Sequence, residues 1–207
     1  MKRVYLVRHG ESEANVSGIA SGPETPLTPE GERQAAAIAD RVSRVDIDII
    51  ISSPYLRTKE TARIINEIAQ KPIEYSDLFV EKRNPTEHLG KMIYNPNEVR
   101  SSEHFIDPNW KHSDEDNFSE IKARVLKAIE YLLARPEEKI LVVSHGWFLR
   151  VFIAAQLFGE TLTVDEYARM WRYLATRNTG LTLVEYDENN LNHGWRLITW
   201  NDHAHLG

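Results

Sequence analysis

The stretch Val4-Tyr5-Leu6-Val7-Arg8-His9-Gly10 decides the fold: an unbroken apolar run, rich in β-branched side chains, ends abruptly on an arginine and a histidine. A strand with one wet face alternates polar and apolar residues, whereas a strand covered on both faces, as in a parallel sheet, does not. Two more runs of this kind occur downstream, residues 47–51 ahead of Ser52-Ser53 and Ile140-Leu141-Val142-Val143 ahead of Ser144-His145-Gly146. Residues 181–186 and 195–200 read as two later strands joined by the polar turn 187–194. Helical patterns separate them. Thr28-Pro29-Glu30 supplies an N-cap, a proline at the first helical position and an acid in the first turn, and Ala35, Ile38, Ala39 and Val42 recur at helical spacing. Ser53-Pro54 repeats the device before Leu56, Ile64, Ile65 and Ile68. Residues 118–134 place Ile121, Val125, Leu126, Ile129, Leu132 and Leu133 on one face and stop at Arg135-Pro136; residues 147–158 are apolar nearly all round, as in a buried helix.

The alternation predicts an α/β fold, a three-layer α/β/α sandwich with a mostly parallel central sheet. Residues 82–117 break it: they are polar, carry Asn84-Pro85, Asn95-Pro96 and Asp107-Pro108, and read as a surface insertion over the active site of a single domain spanning 1–207. A chain of 207 residues buries a core without staples, and 42% hydrophobic with 27% charged residues is the composition of an ordinary globular protein. A formal net charge of -6 argues against a broad nucleic-acid surface, so any anionic ligand is held by a local cluster of cations. The lack of cysteine excludes disulfides, thiolate metal sites and a cysteine nucleophile. No run approaches the length of a membrane span, so a cytoplasmic protein with no membrane partner is expected. The aromatic residues toward the carboxyl end leave a homodimer contact open.

In an open parallel sheet, ligands bind beyond the carboxyl ends of the strands, where helix amino termini point their unsatisfied N–H groups. His9, Ser52-Ser53 and Ser144-His145 each come directly after an apolar run, and Arg57 lies in the first turn of the next helix, within reach of the crevice that Arg8 faces. Two guanidiniums with imidazole neutralise the three equatorial oxygens of a phosphoryl group, and a neutral imidazole is a competent nucleophile toward phosphorus. Adjacent arginines favour that neutral form of His9.

The ordered blocks Leu6-Val7-Arg8-His9-Gly10-Glu11-Ser12 with Asn15, Leu27-Thr28-Pro29-Glu30-Gly31, Ser52-Ser53-Pro54-Tyr55-Leu56-Arg57-Thr58 with Thr61-Ala62, and Ser144-His145-Gly146 resemble the histidine phosphatase superfamily, which includes the cofactor-dependent phosphoglycerate mutases. The likeness extends to Asn178-Thr179-Gly180 and Asn201-Asp202. It implies that His9 becomes a phosphohistidine, that Arg8, Arg57 and His145 clamp the transferring group, and that Asn15 adds a donor. The family also supplies a carboxylic acid after the second helix, best matched by Glu81, with Glu87 as the alternative. Phosphoglycerate mutases of the family carry a Glu-Arg-His-Tyr-Gly type segment where this chain has Glu81-Lys82-Arg83-Asn84. The resemblance therefore favours a metal-independent phosphomonoester hydrolase, without cofactor, acting on a small phosphorylated substrate. A mutase-like isomerase and a non-catalytic phospho-ligand binding module are the alternatives.

Other features have plainer readings. His203 and His205 are expected on a solvated tail rather than around a metal, and His88, His104 and His112 on the surface without ligand-like spacing. Asp114-Glu115-Asp116 reads as a solvated helix start complementing the macrodipole. The tryptophans read as packing residues, with Trp147 at the edge of the site. Lys82, Arg83 and Lys91 form either a second-anion site or a solvated face.

Overall fold

The computed structural model describes residues 1–92, 107–189 and 194–207. Its centre is a six-stranded sheet in the order β3-β2-β4-β1-β5-β6, formed by β1 (Lys2–Arg8), β2 (Ile49–Ser52), β3 (Ile73–Tyr75), β4 (Lys139–Ser144), β5 (Leu181–Tyr186) and β6 (Trp195–Asp202). The pairs β1/β4, β4/β2 and β2/β3 are parallel, whereas β5 and β6 join as an antiparallel edge beside β1. The register matters for the site. Arg8 lies opposite Ser144 and Ser52 opposite Val143, so β1, β4 and β2 end level with one another and deliver the residues just beyond their ends to one edge.

The inner strands divide their side chains between two cores, because successive residues of a strand point to opposite faces. Val4, Leu6, Ile49, Ile51, Ile140 and Val142 pack with Ile121, Val125 and Leu132 of α4 (Phe118–Ala134) and with Phe148 and Phe152 of α5 (Gly146–Phe158). Tyr5, Val7, Ile50, Leu141 and Val143 pack instead with Ile38 and Val42 of α2 (Pro29–Val42) and Ala62 and Ile65 of α3 (Leu56–Ala69). Helices thus cover both faces, as the unalternated strand sequences require. Two more helices are α1 (Glu13–Ser17) and α6 (Val164–Tyr173), the latter opened by a reciprocal Thr163/Glu166 capping box. Among the described residues, no helix is long and apolar enough to cross a membrane.

Thr28 caps α2 as expected, its hydroxyl accepting from the Gly31 N–H. Ser53 does not cap α3. That helix begins at Leu56 after an extended Tyr55, and the Ser53 hydroxyl instead accepts from the Tyr55 N–H at 3.3 Å and lies 2.9 Å from the His145 ring nitrogen. The acidic run before α4 is also corrected: Glu115 and Asp116 are buried, and Asn117 makes the cap. Asp116 accepts from Arg83 and Arg124 at 2.7 and 2.9 Å, and Glu115 accepts from the backbone N–H groups of His112 and Ser113. Asp116 thus ties the 82–92 segment to the start of α4, and Glu115 closes the turn that leads into it, instead of both facing water. The carboxyl-terminal tail is docked rather than solvated, since half-buried His205 lies 3.0 Å from the Thr179 hydroxyl. Asn95-Pro96 and His104 lie outside the described residues.

Candidate active site

The level strand ends place His9, Ser53 and His145 side by side, and the first turn of α3 swings Arg57 between the two rings. Arg57 Nε donates to His9 Nε2 at 3.2 Å, its Nη2 lies 3.1 Å from His145 Nδ1, and its Nη1 donates to the Gly22 carbonyl at 2.9 Å. Every arm of the guanidinium is therefore fixed. His9 Nδ1 sits 2.6 Å from the Gly10 carbonyl, which can only accept, so this nitrogen carries the proton and Nε2 keeps its lone pair. His145 has the opposite tautomer: Nδ1 accepts from Arg57 and Nε2 donates to Ser53. The two rings meet edge to face with centroids 5.2 Å apart.

Burial holds both imidazoles well below the ordinary histidine pKa, reinforced at His9 by Arg57 and Arg8 and at His145 by Arg57, His9 and Arg8. Both are therefore neutral at pH 7. Burial also lowers Arg8, to about 10, and it stays charged at neutral pH; its Nη1 donates to the Thr176 carbonyl at 2.6 Å, while its buried Nε has no partner among the described residues. A cationic site with an orphaned N–H donor is chemically matched to a dianion.

Glu81 reaches the same place from the other side. Its carboxylate accepts from the N–H groups of Trp147 and Phe148 in the first turn of α5, and of Lys82, at 3.0–3.2 Å. It caps a helix whose own N-cap residue, His145, makes no side-chain cap. Opposite charge couples it to Arg8 and Arg57. Glu87 is placed elsewhere, 2.9 Å from His112. Asn15 is exposed; its Oδ1 accepts from the Asn178 side chain at 3.2 Å, and the same Asn178 amide donates to the His9 carbonyl at 3.0 Å.

His9, Arg57 and His145 are thus in direct contact, with Arg8 and Glu81 beside them and Asn15 joined through Asn178. Sequence reasoning gave Gly22 no role, took Ser53 as a helix cap, and met Asn178 and Tyr55 only within the family likeness. Asn178 precedes β5, whose Leu181 pairs with Val7, so its position beside the end of β1 was available only from the antiparallel pairing. Tyr55 packs its ring on His145 at 5.2 Å and beneath the Arg57 guanidinium. Of Lys82, Arg83 and Lys91, Arg83 is paired with buried Asp116, while the Lys82 ammonium lies over the Trp147 ring at the edge of the site.

The chain matches the family model of the histidine phosphatase superfamily (branch 1) over residues 4–203. A probable phosphoglycerate mutase GpmB of Serratia proteamaculans is 33% identical over 217 residues, covering 100% of this chain and 95% of the relative. The uncharacterized phosphatase PhoE of Bacillus subtilis is 30% identical over 208 residues, covering 100% and 97%. Among solved structures, Bacillus stearothermophilus YhfR superposes with a TM-score of 0.82 at 24% identity, covering 100% of both chains. The chain belongs to the histidine phosphatase superfamily, branch 1, and is an enzyme of its phosphatase and phosphoglycerate mutase-like kind.

Proposed function

We propose that this enzyme hydrolyses small phosphomonoesters through a phosphohistidine on His9, without a catalytic metal. The observation that carries the reading is the His9 tautomer: Nδ1 is tied to the Gly10 carbonyl and the unprotonated Nε2 faces the Arg57 guanidinium. An arriving phosphoryl group takes the donors of Arg57 and the free Nε–H of Arg8 with its oxygens, which releases the Nε2 lone pair toward phosphorus. The P–O bond to the leaving group breaks as the P–N bond forms, and the leaving oxygen receives a proton that the Glu81 carboxylate has taken up from solvent as the substrate dianion arrives beside it. Glu81, now a carboxylate, then takes a proton from water, whose oxygen attacks phosphorus and returns His9. The guanidinium charges of Arg8 and Arg57, with Arg57 donating to the ring nitrogens of His9 and His145, disfavour a divalent cation there, which supports catalysis by protein charges alone.

Rapid acid or alkaline quench of the enzyme with a labelled phosphate ester tests this. A phosphoenzyme stable to alkali, labile to acid and absent from His9→Ala is expected, with turnover unaffected by chelator. Turnover without any such species, or its loss on adding chelator, overturns the proposal.

The relatives named probable phosphoglycerate mutase favour a second reading, return of the phosphoryl group to the organic product. Hydrolysis is preferred because Glu81-Lys82-Arg83-Asn84 replaces the mutase-type segment and Arg83 is committed to Asp116. Positional exchange of a phosphoglycerate without release of inorganic phosphate would reverse that preference.

A further inference from the structure

We propose that Glu87, His88 and His112 form a binding site for a divalent transition metal of the zinc class, clasping the two ends of the 82–117 segment. One ligand atom from each of the three lies within 4.8 Å of the others. His112 Nε2 approaches Glu87 Oε1 at 2.9 Å, and the His88 and His112 rings stack at 5.3 Å with planes only 22° apart. Two imidazoles and one carboxylate are the donor set that zinc prefers over magnesium or calcium, which take oxygen. Tetrahedral zinc holds such ligands about 3.3 Å apart, so small side-chain rotations close the site and leave a fourth position for water.

The ligands are held in place without metal. His88 and His112 are 24 positions apart, yet Thr86 N donates to Asp114 Oδ1 at 2.8 Å, Arg83 N donates to Asp116 Oδ2 at 3.0 Å, and the Glu115 carboxylate fixes the His112 and Ser113 N–H groups at 2.7 Å. These three anchors flank the ligand residues on both segments. The ordering cost of bringing the donors together is therefore met by the fold, and a bound ion adds its affinity directly to the clasp. The site is exposed and uses none of the groups around His9, so the clasp stands whether or not the hydrolase reading holds.

Calorimetric titration of chelator-treated protein with zinc ions, paired with thermal melts, decides the matter. One equivalent is expected to bind and raise Tm, with affinity falling at least tenfold in both His88→Ala and His112→Gln. The His203→Ala/His205→Ala double variant is expected to bind as the parent does. Since the His88 ring makes no hydrogen bond among those described, His88→Ala keeps the fold intact and isolates the ligand role. Absence of saturable binding, unchanged affinity in His88→Ala, or loss of binding only in the tail variant would overturn the clasp.

Discussion

His9 and His145 are kept neutral by the same surroundings that would hold a dianion: little water, and arginines in contact. In the free enzyme, imidazole NMR signals of both residues are expected to stay unshifted from pH 7.5 down through 6.5; a titration midpoint between 6 and 7 at either ring would contradict this electrostatic picture. Arg57 bridges the two rings and the Gly22 carbonyl with three separate nitrogens. Its replacement by alanine should lower kcat by about 10²–10³-fold, the scale of losing one oriented donor to a developing anion. Lysine, a point charge without the fork, should recover little. A kcat within threefold of the parent for Arg57→Ala would remove it from the phosphoryl clamp. Glu81→Gln keeps the size of the helix cap and removes the titratable proton, so a loss of about 10²–10⁴-fold in kcat is expected with the fold retained. His9, Arg57 and His145 were legible in the sequence because each follows a strand or opens a helix, whereas Glu81 lies in a loop and was reached only through the family resemblance. The His145–Ser53 and Asn178–His9 bonds were not legible, since they join positions remote in sequence whose adjacency comes from strand order.

At the scale of elements, two glycines explain why the first two sequence blocks stay together. A Cβ on Gly10 would lie 2.4 Å from the Gly31 carbonyl oxygen, and one on Gly31 would lie 2.0 Å from the Glu11 carbonyl oxygen. The loop carrying His9 therefore lies directly on the first turn of α2, backbone against backbone, and no rotamer relieves the clash. Gly31→Ala should cost about 1–3 kcal/mol by urea unfolding, like other overpacked sites, and should lower kcat as well because the His9 loop must move. Unchanged stability would show that the contact yields freely. Strands β1, β2 and β4 could be read because both faces are apolar, and α4 because its stripe is continuous. Helix α6 went unread although Thr163 and Glu166 carry the capping pattern, and β3 is too short and too exposed to show a period. The acidic run misled because a buried carboxylate is recognised by its partners, and Arg83 and Arg124 come from other parts of the chain. Asp116→Ala leaves the largely buried Arg124 guanidinium without its carboxylate and should cost about 3 kcal/mol by urea unfolding.

Across the whole molecule, the burial that readies the site makes the fold sensitive to mild acid. The folded chain holds His9 and His145 unprotonated, while in the unfolded chain both bind protons once pH falls below the ordinary imidazole value of about 6.5. Below that value the unfolded state binds more protons, so unfolding free energy rises with pH, by up to about 1.4 kcal/mol per pH unit for each ring. The contribution is complete above the unfolded value and is lost as pH drops from there toward the depressed folded values. The carboxylates held low by arginine, Asp116 and Asp202, have the same sign but act only near and below the ordinary aspartate range, well separated from this window. Urea denaturation at intervals between pH 7.5 and 5.5 should show a steady decline in the parent and a shallower one in His9→Asn/His145→Asn, which keeps a hydrogen-bond donor and acceptor at each position without a titrating group. Parallel slopes in the two proteins would place the acid sensitivity elsewhere and detach the state of the two imidazoles from the stability of the fold.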